Sequence, residues 1–100
     1  MHNARLPNTP QARQRFFKVL PTSDFWAAYR KLPADVRELT DENFELVKAD
    51  PLHPSLHFKA IGRYRSVQVG LRHQALGVEV PYGISWFWIG SHADYDRLVG

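Results

Sequence analysis

The hydrophobic period changes once along the chain, at Asp50-Pro51, and this change restricts the fold more than any other feature. Before it, apolar residues recur at helical spacing: Phe25, Ala28, Tyr29 and Leu32 share one face, and Val36, Leu39, Phe44 and Val47 continue an apolar stripe. After it the spacing is that of strands. Val67, Val69 and Leu71 alternate with Ser66, Gln68 and Gly70, and Leu76, Val78 and Val80 alternate with Ala75, Gly77 and Glu79. Helices gathered ahead of strands, with no return to helical spacing between strands, predict an α+β fold in which an N-terminal αα-hairpin packs on a small antiparallel sheet.

Local signals divide these two halves further. Thr22-Ser23-Asp24 offers N-cap chemistry for a first helix. Leu32-Pro33 interrupts it, and proline is well tolerated in the first turn of the next helix. Strands are expected over Leu56–Ile61 and Arg65–Leu71 around Gly62, with Tyr64 in the turn between them. Pro81-Tyr82-Gly83 has the composition of a hairpin loop. Ile84-Ser85-Trp86-Phe87-Trp88-Ile89 is apolar on both parities, the pattern of a central strand covered on both faces, so Trp86 and Trp88 are expected in the core. Gly90 ends that strand, and Ser91 to Leu98 form a short helix or a turn. Trp26 lies off the apolar stripe of its helix.

A chain of 100 residues is one domain's length, and such a domain buries a little over ~60% of its unfolded surface. Residues 1–20 carry Arg5, Arg13, Arg15 and Lys18, two prolines and no acid, and are read as a flexible basic arm ahead of a domain over 21–100. Cysteine is absent, which removes disulfide frameworks and thiolate zinc sites and fits a reducing, cytoplasmic setting. No run approaches the ~18 apolar residues of a membrane helix, and no secretory leader is expected.

The formal charge of +3 is unevenly spread. Acids concentrate between Asp24 and Asp50, whereas residues 51–78 hold Lys59, Arg63, Arg65 and Arg72 and no acid. An antiparallel sheet could gather these four on one concave surface, where they would hold phosphates; the plainer alternative is a set of solvated strand positions. His92 follows the most apolar strand, beside Asp94 and Tyr95, and imidazole is the side chain best suited to proton transfer near neutral pH. A capping histidine hydrogen-bonded to Asp94 or Asp96 is the alternative. His53 and His57 are four apart, but Pro51 and Pro54 prevent the helix that metal ligation at this spacing requires. His73 beside Gln74 reads as a polar pair at a strand turn. A phosphate-binding glycine loop, a Ser/His/Asp order and paired carboxylates on one element are all missing.

Several strings together resemble the RelE/ParE toxin superfamily. They are Phe25 to Leu32 with Pro33 opening the second helix, His53-Pro54-Ser55-Leu56-His57-Phe58-Lys59, Ser66-Val67-Gln68-Val69-Gly70, and Trp86-Phe87-Trp88-Ile89-Gly90-Ser91-His92-Ala93-Asp94-Tyr95. The resemblance spans about residues 22–98. It implies the toxin of a type II toxin–antitoxin pair, acting as an endoribonuclease on mRNA or at the ribosome, or alternatively poisoning DNA gyrase without catalysis; an inactive interaction domain is the third option. A cognate antitoxin, bound as a hetero-oligomer, is the implied partner, with no cofactor and no metal. For the nuclease members the ribose 2′-hydroxyl attacks the adjacent phosphate. On that pattern His92 stands where the family has a catalytic His or Arg, and Tyr95 near a functional Tyr. Arg65 and Arg72 then stabilise the phosphate, and Lys59, Arg63, His73 and Gln74 line the substrate. Gln74 departs from the pattern, because relatives carry Arg there and a neutral amide adds no charge.

Overall fold

A computed structural model describes residues 18–99. Its elements run β1 (Lys18–Pro21), α1 (Ser23–Tyr29), α2 (Ala34–Ala49), a 3-10 turn (Pro54–Leu56), β2 (Lys59–Ile61), β3 (Tyr64–Val69), β4 (His73–Val80), β5 (Gly83–Ser91) and α3 (His92–Val99). The strands form one sheet in the order β1-β5-β4-β3-β2. All neighbours are antiparallel except β1, which runs parallel to β5 from Lys18 opposite Gly83 to Pro21 opposite Trp86. The α+β class and the helical hairpin follow the sequence, while β1 makes the sheet mixed.

Thr22 caps α1 by accepting the Phe25 N–H at 3.2 Å, and the Thr22 N–H bonds the Trp86 carbonyl at 2.9 Å, which ties the helix start to β5. Pro33 stands at the N-cap of α2, and Arg37 reaches back to the Leu32 carbonyl at 2.6 Å to close the turn between the helices. The apolar stripes of α1 and α2 meet the sheet in a column of rings. Phe25 stacks on Phe44 at 5.1 Å, and Phe44 leans on Trp86 at 5.9 Å. Val47, Leu56, Val67, Val69, Ala75, Ile84 and Ile89 fill the space around them. The buried indole N–H of Trp86 has no acceptor among the described residues.

Four details correct the sequence expectations. The segment read as a basic arm gives up Lys18 to Leu20 to β1, and the remainder, residues 1–17, lies outside the described residues. Leu71 is not a core position: it sits in the β3–β4 turn at 86% exposure, because β3 ends at Val69. Tyr64 opens β3 instead of occupying a turn, and Leu56 belongs to the 3-10 turn ahead of β2. Finally, β5 is bulged. Leu76 pairs with Trp88 and Gly77 with Trp86, so Phe87 has no partner on β4. The bulge reverses the parity, and the core face carries Ile84 and Trp86 before it and Ile89 after it. The run therefore reads apolar on both parities without being covered on both faces, and Trp88 is only half-buried.

Gly83 sets how closely β1 approaches, since a Cβ there would collide with the Lys18 backbone. Gly83→Ala is expected to destabilise the fold by about 1–3 kcal/mol, the usual cost of overpacking. In a chain starting at Pro21 the same substitution should cost almost nothing, as there is no strand left to displace. Thermal melts of the four proteins check this non-additivity.

Candidate functional site

Alternation along β3 sends Val67 and Val69 to the helices and Ser66 and Gln68 to the open face of the sheet. Gln74 on β4 lies opposite Gln68 and donates from Nε2 to Ser66 Oγ at 3.1 Å, while Lys59 on β2 lies opposite Ser66. Gln74 is 8% exposed, so its amide is held in place by this bond and leaves a neutral polar floor.

Helix α3 closes one end of that floor. The His92 N–H donates to the Arg72 carbonyl at 2.8 Å, and Ser91 Oγ accepts the Asp94 N–H at 3.1 Å, so the first turn is anchored on both sides. His92, Tyr95 and Asp96 fall three and four residues apart and face one side of the helix, whereas Asp94 and Arg97, which pair with each other, face the other. The result is a cavity of about 580 Å3 on the open face, lined by His92, Tyr95 and Asp96 from α3, Lys59 from β2, Ser66 and Gln68 from β3, Gln74 from β4, and His57 and Phe58 from the segment ahead of β2. Proton-transfer, hydroxyl and cationic groups thus converge on one concave surface able to hold an anion.

Four of the residues singled out in the sequence therefore meet: His92, Tyr95, Lys59 and Gln74. The four-cation cluster does not form. Arg65 shares the parity of Val67, and its guanidinium bonds Glu79 at 3.0 Å and the Tyr64 carbonyl at 3.1 Å. Arg63 lies over the Tyr64 ring, 5.5 Å from its centre. Arg72 is carried by the β3–β4 turn beside Leu71 and Val69, away from the cavity. His73 points to the opposite flank of α3, into a second hollow with Leu32, Trp88 and Arg97. The sequence pattern does not single out His57, Ser66, Gln68 or Asp96 as site residues. Strand alternation could have indicated Ser66 and Gln68, and helical spacing from His92 could have indicated Asp96, whereas the sequence marks His57 only by its spacing from His53 and its place in a resemblance string, not as a site residue. Among the described residues no group of three or more His, Asp or Glu side chains could hold a metal ion, and no helix is long and apolar enough to cross a membrane.

The fold as a whole, a helical hairpin on a five-stranded sheet, is similar to that of several solved structures. The RelE–RelB antitoxin–toxin complex of Methanococcus jannaschii contains a chain matched at TM-score 0.67 and 15% identity over 81% of this chain and 99% of that one. This is the RelE/ParE toxin fold. The YoeB/ParE toxin of Agrobacterium tumefaciens matches at TM-score 0.60 and 15% identity over 76% of this chain and 99% of its own. The RelE–RelB complex of Pyrococcus horikoshii matches at TM-score 0.57 and 13% identity over 76% and 94%. No protein-family profile and no curated protein sequence matches the chain. The RelE/ParE likeness thus rests on backbone geometry, at 13–15% sequence identity.

The His73 pKa is pushed below its ordinary 6.5, first by burial and then by nearby His92 and Arg72, against the pull of Asp35 and Asp94. Unfolded His73 therefore takes up a proton that the folded chain resists, and stability falls as pH drops through 6.5 until the folded group also titrates. His73→Gln should flatten that part of the decline. Urea midpoints of the two proteins at about pH 7.5 and about pH 5.5 measure it.

Proposed function

We propose that this protein is the toxin of a type II toxin–antitoxin pair and that it cleaves RNA through the ribose 2′-hydroxyl. The observation that carries the reading is the convergence of His92 and Tyr95 with Lys59 and Gln74 in one cavity on the open face of a RelE/ParE fold. His92 transfers a proton in the reaction, as general acid or base. Tyr95, one turn further along α3, positions the nucleotide beside it. Lys59 offsets charge on the phosphate, and Gln74 hydrogen-bonds one of its oxygens. Arg63, Arg65 and Arg72 lie outside the cavity, with Arg65 already paired to Glu79, and are given no part in the reaction.

The partner on this reading is an antitoxin segment that orders as it binds across the helices and the open sheet and blocks the cavity. Two of the matched structures are complexes of a RelE with its RelB.

One observation favours a second reading. Among the described residues no arginine lines the cavity, and Gln74 is already bonded to Ser66, an arrangement poor in charge for phosphoryl chemistry. A gyrase poison, which needs a binding surface and no catalyst, would tolerate that. Inducing the chain alone in a bacterial host and following amino-acid and thymidine incorporation separately decides between them. Early loss of protein synthesis, relieved in a folded His92→Ala protein by the ~10²–10⁴-fold drop expected on losing a proton-transfer group, supports RNA cleavage. Early loss of DNA synthesis with translation intact would replace that reading with gyrase poisoning. Full toxicity of His92→Ala would rule out the assigned role of His92.

A further inference from the structure

His57 lines the cavity with His92 and takes no part in the chemistry assigned to His92, Tyr95, Lys59 and Gln74. Its backbone is left-handed, with φ 46° and ψ 47°; the other positive-φ residues among those described are Gly62 and Gly70. A side chain is strained in that region and glycine is not. Glycine would serve the turn as well, because the one bond His57 makes there runs from its backbone N–H to the Pro54 carbonyl at 3.2 Å. Leu56 before it is fully buried and Phe58 after it is half-buried, so the backbone corner is pinned on both sides and carries the exposed imidazole among the residues that line the cavity. The fold thus carries a histidine, at a cost in strain, at a position where its side chain makes no hydrogen bond to the described residues.

We propose that His57 is the second proton-transfer group of this cavity and acts as the counterpart of His92. The proposal rests on the ribonuclease reading. As the 2′-oxygen forms its bond to phosphorus, one imidazole, neutral, accepts the 2′-hydroxyl proton. As the bond from phosphorus to the 5′-oxygen breaks, the other imidazole, protonated, gives its proton to that oxygen. The products are a 2′,3′-cyclic phosphate and a 5′-hydroxyl, and the pair of histidines holds one proton before and after, in exchanged places. The charged or titratable groups facing His57 are Lys59 from β2 and His92, Tyr95 and Asp96 from α3; β3 and β4 contribute the neutral Ser66, Gln68 and Gln74. His53, at the far end of the same 3-10 turn, accepts the Ser55 N–H through Nδ1 and points its ring at its own turn.

The test compares the wild-type chain with His57→Gly and His57→Asn, both compatible with left-handed backbone. The substrate is a mixed-sequence mRNA, free and on bacterial ribosomes. The expected result is that both variants melt no lower than the wild type yet cleave about 10²–10⁴-fold more slowly, with one limb of the wild-type pH–rate profile lost. A substrate whose scissile 5′-oxygen is replaced by sulfur needs no general acid, and it should rescue either the His57 or the His92 variant but not both. Cleavage by His57→Gly within about threefold of the wild type, or a large loss with both pH limbs kept, would overturn the proposal and leave the nuclease reading standing. Failure of the wild type to cut either form of RNA would overturn the nuclease reading and this inference with it.

Discussion

Phe25, Phe44 and Trp86 join α1, α2 and β5 at a single column, and the remaining structure is arranged around it. Each ring comes from a different element, so the contact orients all three at once. Rings of this size dominate the burial energy of a small core. With β5 held against the hairpin at Trp86, its far end has one exit, and that exit is where α3 begins. The position of His92 is therefore set by packing well away from it.

The bulge at Phe87 is the second constraint. Without the extra residue, strand parity would carry Trp88 into the core behind Trp86 and turn Ile89 to the open face. With it, Ile89 closes the core and the strand emerges with His92 turned toward the floor built by Ser66, Gln68 and Gln74. The hydrogen bond from the His92 N–H to the Arg72 carbonyl then fixes the start of α3 against the neighbouring β3–β4 turn. Because His92 and Tyr95 are one turn apart, a single anchored helix delivers both to the same cavity, and Asp94 and Arg97 fall on its other flank.

Much of this architecture is legible in the sequence. The change of period at Asp50-Pro51 separates helices from strands, and Thr22 and Pro33 mark the starts of α1 and α2. His92 and Tyr95 are legible because the polar stretch after the most apolar strand must emerge at that strand's end, although β5 runs one residue past Gly90 to Ser91. The cation cluster is misleading for a related reason: Arg63, Arg65 and Arg72 share a stretch of sequence with Lys59 but not a face. Parity turns Arg65 toward Glu79, and a turn carries Arg72 away. His57 cannot be found by pattern, since left-handed backbone at a non-glycine residue leaves no mark in the sequence.

What the sequence by itself determined is the class of fold and the order of elements from α1 to α3, with a histidine placed after the last strand, because periodicity and capping are local and act within a few residues. Only the tertiary structure decided which polar groups share a cavity, that β1 joins the sheet in parallel, and that Trp88 leaves the core. Those outcomes depend on pairing between segments far apart in the chain. There a single bulged residue exchanges the two faces, and no local pattern reports it.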